Sequence, residues 1–190
     1  MTKEDLRVAY KNKRRSLKDE TVRSKSIAIA NQCLNLPIWD QNVYHIFLSI
    51  SIMKEVETEP IIDILMGKDK RIAVPKTNPL SNTMAHYELN DRTSFLVNSW
   101  GITEPVEGRE LIAEDIDVIF VPLLAYDIHG HRVGYGKGYY DRFIFACRPD
   151  VITVGLSFFE PESTIIDNES TDMPLDFVIT PSQIYDFKRA

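Results

Sequence analysis

Two periods alternate along the chain. Residues 3–16 and 21–35 space their apolar side chains three and four apart, which predicts two helices. Thr2 with Asp5 three residues later resembles a capping box opening the first, and Pro37 stops the second. In the second helix Ile27, Ala30, Cys33 and Leu34 are expected to share the inward side. "VYHIFLSI" (43–50) reads as a buried strand. "TEPIIDILMGK" follows as a helix with Thr58 as N-cap, Pro60 in its first turn and Gly67 at its end. "RIAVP" (71–75) is a second buried strand and "TMAHYEL" (83–89) a weaker third. "DIDVIFVPLLAYD" (115–127) contains the most apolar strand, "YYDRFIFAC" (139–147) reads as a helix, and "VITVGLSF" (151–158) and "DFVIT" (176–180) are the last strands. Apolar strands alternating with helices predict an α/β fold: a single layered domain over 1–190, with a mostly parallel central sheet and helices on both faces. In such sheets ligands bind beyond the carboxyl ends of the strands.

Composition narrows the class. An apolar fraction of 44% and a charged fraction of 26% are those of an ordinary globular protein. Cys33 and Cys147 lie far apart with no CxxC pair, which argues against a disulfide framework or a zinc site and suits a reducing cytosol. "MTKEDLRVAYKNKRR" has no apolar core of the kind a signal peptide needs, and no apolar run approaches the roughly 18 residues of a membrane span. A cytoplasmic protein without a membrane partner is expected, as a monomer or a weak homodimer. Net charge is −6, yet residues 1–20 carry +3, so the remainder sums to −9. That acidic body argues against a general nucleic-acid binder, which needs a broad basic face.

The chemistry concentrates in "DIHGHRVGYGKGYYDR" (127–142). Four of the chain's eight glycines, Gly130, Gly134, Gly136 and Gly138, fall within it. The spacing fits neither the P-loop nor the dinucleotide fingerprint. The physics still favours an anion: glycine-rich backbone can turn N–H groups inward as a nest, the following helix presents its positive end, and Arg132 and Lys137 add charge. A tight loop with incidental charges fits the spacing as well. Asp141 is read either as an acid at a helix start or as a magnesium ligand accompanying a polyphosphate. Lys3, Arg7, Lys11 and Arg14 form one basic stripe, by default a solvated face and otherwise a clasp on a phosphate tail. Glu55, in the acidic stretch 54–60, faces either solvent or a pocket. His129 and His131 make a weak metal pair with no third ligand in view. With no covalent nucleophile in a recognisable setting, any reaction here rests on positioning and electrostatics, as phosphoryl transfer does.

"VPLLAYDIHGHRVGYGKGYYDRFI" (121–144) closely resembles the signature of the 5-formyltetrahydrofolate cyclo-ligase (5,10-methenyltetrahydrofolate synthetase) family. "KEDLR", "FLSISIMKEVETEPI", "AVP", "SWGITEP" and "TDMPLDFVIT" extend the similarity, in family order, over nearly the whole chain. The resemblance implies conversion of 5-formyltetrahydrofolate to 5,10-methenyltetrahydrofolate with ATP and Mg²⁺, releasing ADP and phosphate. The formyl oxygen would attack the γ-phosphorus, and nitrogen 10 would then close the ring. Carried over, it places Lys3 and Arg7 on ATP phosphates, and Arg132, Val133, Gly134, Tyr135, Gly136, Lys137, Gly138, Tyr139 and Tyr140 in the nucleotide loop. Residues Tyr135 to Tyr139 would also border the folate. Leu48, Glu55 and Trp100 would contact the folate, Asp141 and Asp172 would hold the metal, and Lys137 and Arg132 would neutralise the transferring phosphoryl. Tyr126 and Val133 depart from the usual Phe and Leu. Two other readings stand beside this one: an ATP-dependent kinase or ligase acting on another small molecule, and a non-catalytic module binding ATP or RNA through the basic helix. Leu48, Glu55 and Trp100 weigh against the first, the acidic body and Asp141 against the second.

Overall fold

The computed structural model describes residues 1–98, 101–165, 167 and 172–188. Its helices are α1 (Lys3–Arg15), α2 (Asp19–Cys33), α3 (Glu59–Gly67) and α4 (Tyr139–Ala146). The longer strands are β2 (Arg71–Asn78), β3 (Thr83–Leu89), β7 (Val118–Pro122) and β10 (Ile152–Leu156). Short ones are β1 (Val43–His45), β4 (Phe95–Val97), β5 (Thr103–Pro105), β6 (Glu110–Leu111), β8 (Ala125–Tyr126), β9 (Arg132–Val133), β11 (Phe177–Ile179) and β12 (Ile184–Asp186).

The capping box forms as expected: the Thr2 hydroxyl accepts from the Asp5 N–H at 3.1 Å, and the Asp5 carboxylate accepts from the Thr2 N–H at 3.1 Å. The inward face expected for α2 is corrected, while Thr58 takes the N-cap position of α3 as expected. In α2 the inward face is Val22, Ser26, Ile29, Ala30 and Cys33, while Ile27 and Leu34 are each 46% exposed. Ser26 disguises the stripe; buried, it donates to Val22 C=O at 2.8 Å and accepts from the Glu57 N–H at 2.9 Å. Thr58 precedes α3, but its hydroxyl makes no cap and donates instead to Phe47 C=O at 2.8 Å.

One sheet runs β12-β11-β10-β7-β1-β2-β3-β6. The strands from β11 to β2 pair in parallel; at the edges β12 and β3 run against them, and β6 pairs antiparallel with β3. The α/β fold with a mostly parallel sheet is thus as expected. Strand β1 is shorter than 43–50: after His45 only the Ile46 N–H still reaches the neighbouring strand, at Ala73 C=O (2.9 Å), and the chain then leaves the sheet.

Alternation along β7 assigns the two faces. Val118 and Phe120 pack with Ile29 of α2 and with Ile61 and Leu65 of α3. Ile119 and Val121 pack with Phe143 and Ile144 of α4 on the other side. Each such buried side chain contributes about 1.5–3 kcal/mol relative to exposure. From neighbouring carboxyl ends, β1 leads through α3 to β2, while β7 leads through the β8–β9 hairpin and α4 to β10. These departures diverge to opposite sides of the β1/β7 pair, which opens a crevice where α/β sheets bind ligands.

Candidate active site

The glycine segment grows from the carboxyl end of β7. Strands β8 and β9 pair as a hairpin, Tyr126 opposite Arg132. The fully buried Asp127 holds its turn: Oδ1 accepts from the His129 and His131 N–H groups at 3.0 Å each, and Oδ2 accepts from the Ile165 N–H at 3.1 Å. His131 Nδ1 lies 3.3 Å from Asp127 Oδ2, so this histidine belongs to the turn. The four glycines divide by role. A Cβ on Gly130 would stand 2.9 Å from Leu175 C=O and 3.0 Å from the Phe187 ring, so Gly130 serves the hairpin's packing. Gly138, at φ +66, is the left-handed residue from which α4 starts, and it leaves the first-turn N–H groups of that helix open.

α1 lies along the loop, and the basic stripe faces it instead of solvent. Lys3 Nζ is bonded to Asp172 Oδ2, and the Lys3 N–H donates to Asp167 Oδ1 at 2.7 Å. Arg7 Nε donates to Gly134 C=O at 3.2 Å, and its Nη1 pairs with Glu4 at 3.0 Å. Lys11 Nζ stands 6.0 Å from the Tyr135 ring centre, and Arg14 Nη1 donates to the Tyr135 hydroxyl at 2.9 Å. The solvated-face expectation therefore fails for all four.

Arg132 sits at the root of the loop with a side chain only 5% exposed. Nη2 donates to Asp141 Oδ1 at 2.6 Å, and Nη1 donates to Met173 C=O at 2.5 Å. Burial lowers its pKa, opposed by Asp141, Asp172 and Tyr140. Lys137 is exposed at the loop's tip. Val133 is fully buried with Leu6 and Tyr10 of α1, and its carbonyl accepts from the Leu124 N–H at 2.8 Å, so it anchors the loop. Asp141 and Asp172 both act on Arg132. As carboxylates they suit a hard divalent cation such as Mg²⁺. Among the described residues no three His, Cys, Asp or Glu side chains converge, so a cation here would complete its shell with phosphate or water oxygens.

Across the crevice, the segment leaving β1 supplies Glu55, which is 4% exposed. Glu55 Oε1 accepts from the Tyr135 hydroxyl at 2.7 Å and Oε2 from the Ile50 N–H at 2.8 Å. Burial raises the pKa of Glu55, while Arg14, Ile50 and Tyr135 hold it down. Leu48 is half-buried beside the core, and Tyr139 lies with its ring 5.9 Å from the Arg142 guanidinium. The Tyr140 hydroxyl is buried with no hydrogen-bond partner among the described residues, under the influence of both Glu55 and Arg132. Trp100 lies outside the described residues. The structure thus gathers Lys3, Arg132, Asp141 and Asp172 at the root of the loop and brings Arg7 and Glu55 to adjacent residues within it, Gly134 and Tyr135. Sequence reasoning put Arg14 in the basic stripe but missed its burial and its contact with Tyr135. Its signal was present: Leu6, Tyr10 and Arg14 recur every fourth residue and form the buried face of α1.

Comparison with known proteins gives a consistent result. The chain is 30% identical over 200 residues to a probable 5-formyltetrahydrofolate cyclo-ligase of Schizosaccharomyces pombe, covering 97% of each chain. It is 31% identical over 188 residues to the 5-formyltetrahydrofolate cyclo-ligase of Mus musculus, covering 93% of this chain and 92% of the other. The solution NMR structure of Aquifex aeolicus 5,10-methenyltetrahydrofolate synthetase superposes with a TM-score of 0.84 at 29% identity, over 99% of this chain and 94% of that one. Residues 1–181 match the model of one enzyme family, and by that match the chain belongs to the 5-formyltetrahydrofolate cyclo-ligase family, a family of ligases.

Proposed function

We propose that this protein converts 5-formyltetrahydrofolate to 5,10-methenyltetrahydrofolate with MgATP, releasing ADP and phosphate. One observation carries the reading: a single glycine loop touches the α1 cation Arg7 at Gly134 and, through the next residue, Tyr135, the buried carboxylate of Glu55. Phosphate-binding and pterin-binding groups then meet within one crevice, which is the proximity a transfer from triphosphate to formyl oxygen needs.

Lys3, Arg7 and Arg132 bind the phosphates, and Lys137 and Arg132 offset the charge that develops on the transferring group. The N–H groups of residues 134–140 cradle the same oxygens at the start of α4. Glu55 accepts hydrogen bonds from the amino and ring N–H groups of the pterin, with Leu48, Trp100 and the rings of Tyr135 and Tyr139 bordering it. Asp141 and Asp172 would hold Mg²⁺, which would supply positive charge to offset that of the phosphates. No side chain is covalently modified. The proposed enzyme is one domain over 1–190, cytoplasmic, a monomer or weak homodimer, with a small-molecule substrate and neither nucleic acid nor membrane as partner. Among the described residues no helix is long and apolar enough to cross a membrane.

The test mixes purified protein with 5-formyltetrahydrofolate and MgATP and follows the methenyl chromophore against an ATP-free control. ATP-dependent growth of the chromophore is expected. Its absence while nucleotide still binds would transfer the loop to a different acceptor.

A further inference from the structure

Beneath the glycine loop, α1 places a charged group where an apolar one would be ordinary. Arg14 is 3% exposed at the penultimate position of the helix. Its Nη2 is bonded to Leu123 C=O, just past the end of β7, and its Nη1 donates to the Tyr135 hydroxyl at 2.9 Å. The phenol has one proton and gives it to Glu55 Oε1 at 2.7 Å. The direction of the chain is therefore fixed from cation through phenol to carboxylate. A buried charge is costly unless hydrogen-bonded and balanced; this arrangement balances Glu55 against Arg14 and engages both Nη atoms of Arg14, its Nε alone having no partner among the described residues.

We propose that Arg14 is a positioning residue for folate recognition: acting through Tyr135, it keeps the buried Glu55 carboxylate ionised and fixed as a hydrogen-bond acceptor for the pterin. The proposal rests on the folate reading of the crevice, and it gives Tyr135 a second task, that of tying the middle of the glycine loop to the folate side. A protonated Glu55 would present a donor to a substrate edge that itself presents donors. Losing Arg14 therefore weakens the folate, most at low pH, and spares ATP, whose cations Lys3, Arg7 and Arg132 are untouched. The groups facing Glu55 are Arg14 from α1, Tyr135 from the loop, Tyr140 from α4 and the Ile50 N–H from its own segment. Only Arg14 among them carries positive charge.

Two readouts on the full chain test this. First, the Glu55 side-chain carboxyl is titrated by ¹³C NMR without substrate, in wild type and in Arg14→Met, Arg14→Lys and Tyr135→Phe. Arg14→Met is expected to raise the midpoint by about one unit, Tyr135→Phe to raise it less, and Arg14→Lys to stay nearer wild type because the charge remains. Second, KM is measured for each substrate against pH. Arg14→Met is expected to raise KM for 5-formyltetrahydrofolate, most at low pH and recovering as pH rises, with KM for ATP within about twofold of wild type. An unmoved Glu55 midpoint overturns the proposal, as does an equal, pH-independent rise in both KM values, which marks a merely structural arginine. Should Arg14→Met fail to fold, Tyr135→Phe carries the same test, since it removes one oxygen and leaves the packing. The carboxyl titration needs no substrate. A shifted midpoint in a protein that does not turn over 5-formyltetrahydrofolate therefore supports the Arg14 relay and overturns the folate assignment.

Discussion

Lys137 is exposed at the tip of the loop and makes no ion pair among the described residues, whereas Lys3, Arg7 and Arg132 are each held by an acid. A cation left unengaged beside an anion nest is available for charge that forms only during reaction. Lys137→Ala is therefore expected to lower turnover about a hundredfold or more, the cost of removing one such donor. Its melting temperature should stay at the wild-type value, because nothing in the fold leans on the side chain. Turnover at the wild-type level would remove Lys137 from the phosphoryl role. At this scale the cationic and glycine residues were legible in the sequence, because their types announce their chemistry. The double use of Asp141 was not. It starts a helix and also neutralises Arg132, nine positions earlier and across a loop whose shape no spacing rule supplies. The packing of Val133 was not legible either: its place in the loop says nothing about which way a β-branched side chain turns, and it turns into the cluster of Leu6 and Tyr10.

Helix α4 is seated on an unusual cushion. Phe143 stacks on the His86 ring at 4.0 Å and meets the edge of His45 at 4.6 Å, while the two histidine rings lie 5.1 Å apart. Neither nitrogen of His45 nor Nδ1 of His86 has a hydrogen-bond partner among the described residues, so both rings fit their site only when neutral. Burial pushes the His86 pKa down to about 4 and that of His45 well below its ordinary value. Because the folded values lie below the unfolded ones, the unfolded chain takes up protons first as pH falls. The stability these groups contribute is complete above about pH 6.5 and drains away towards pH 4, by roughly 3 kcal/mol for His86. Urea unfolding across that window should show the decline, and His86→Leu should flatten it. Equal slopes for variant and wild type would refute the assignment. The raised pKa of Glu55 works in the opposite sense over the same range, so the difference between the two proteins is the informative quantity. Elements with a full period were readable: α1, α3, α4, β7 and β10 follow their patterns closely. Strands of two or three residues, such as β8 and β9, hold no period to read. Strand β1 was overextended because its apolar run continues past the sheet into the segment that delivers Glu55.

At the scale of the whole molecule, a ligand in the crevice would join parts far apart in sequence: α1, the loop after β7 and the segment around Asp172. Binding to the folded state alone stabilises it by about 2.7 kcal/mol at a hundredfold excess over Kd, which for a chain of this size is several degrees of melting temperature. MgATP is expected to give that shift, and Arg7→Ala to reduce it. No shift at saturating MgATP would contradict a nucleotide site spanning these elements. The ion pairs already described carry one more consequence. Lys3 with Asp172, Arg7 with Glu4 and Arg132 with Asp141 leave three of the crevice's cations already paired with acids, Lys137 standing apart from them. A bare anion such as free phosphate or citrate gains little from these three, since it must first pull each cation away from its acid. A metal and a polyphosphate arriving together exchange partners with both halves of the pairs, so the same side chains that bind the pair turn away most of the cell's stray anions.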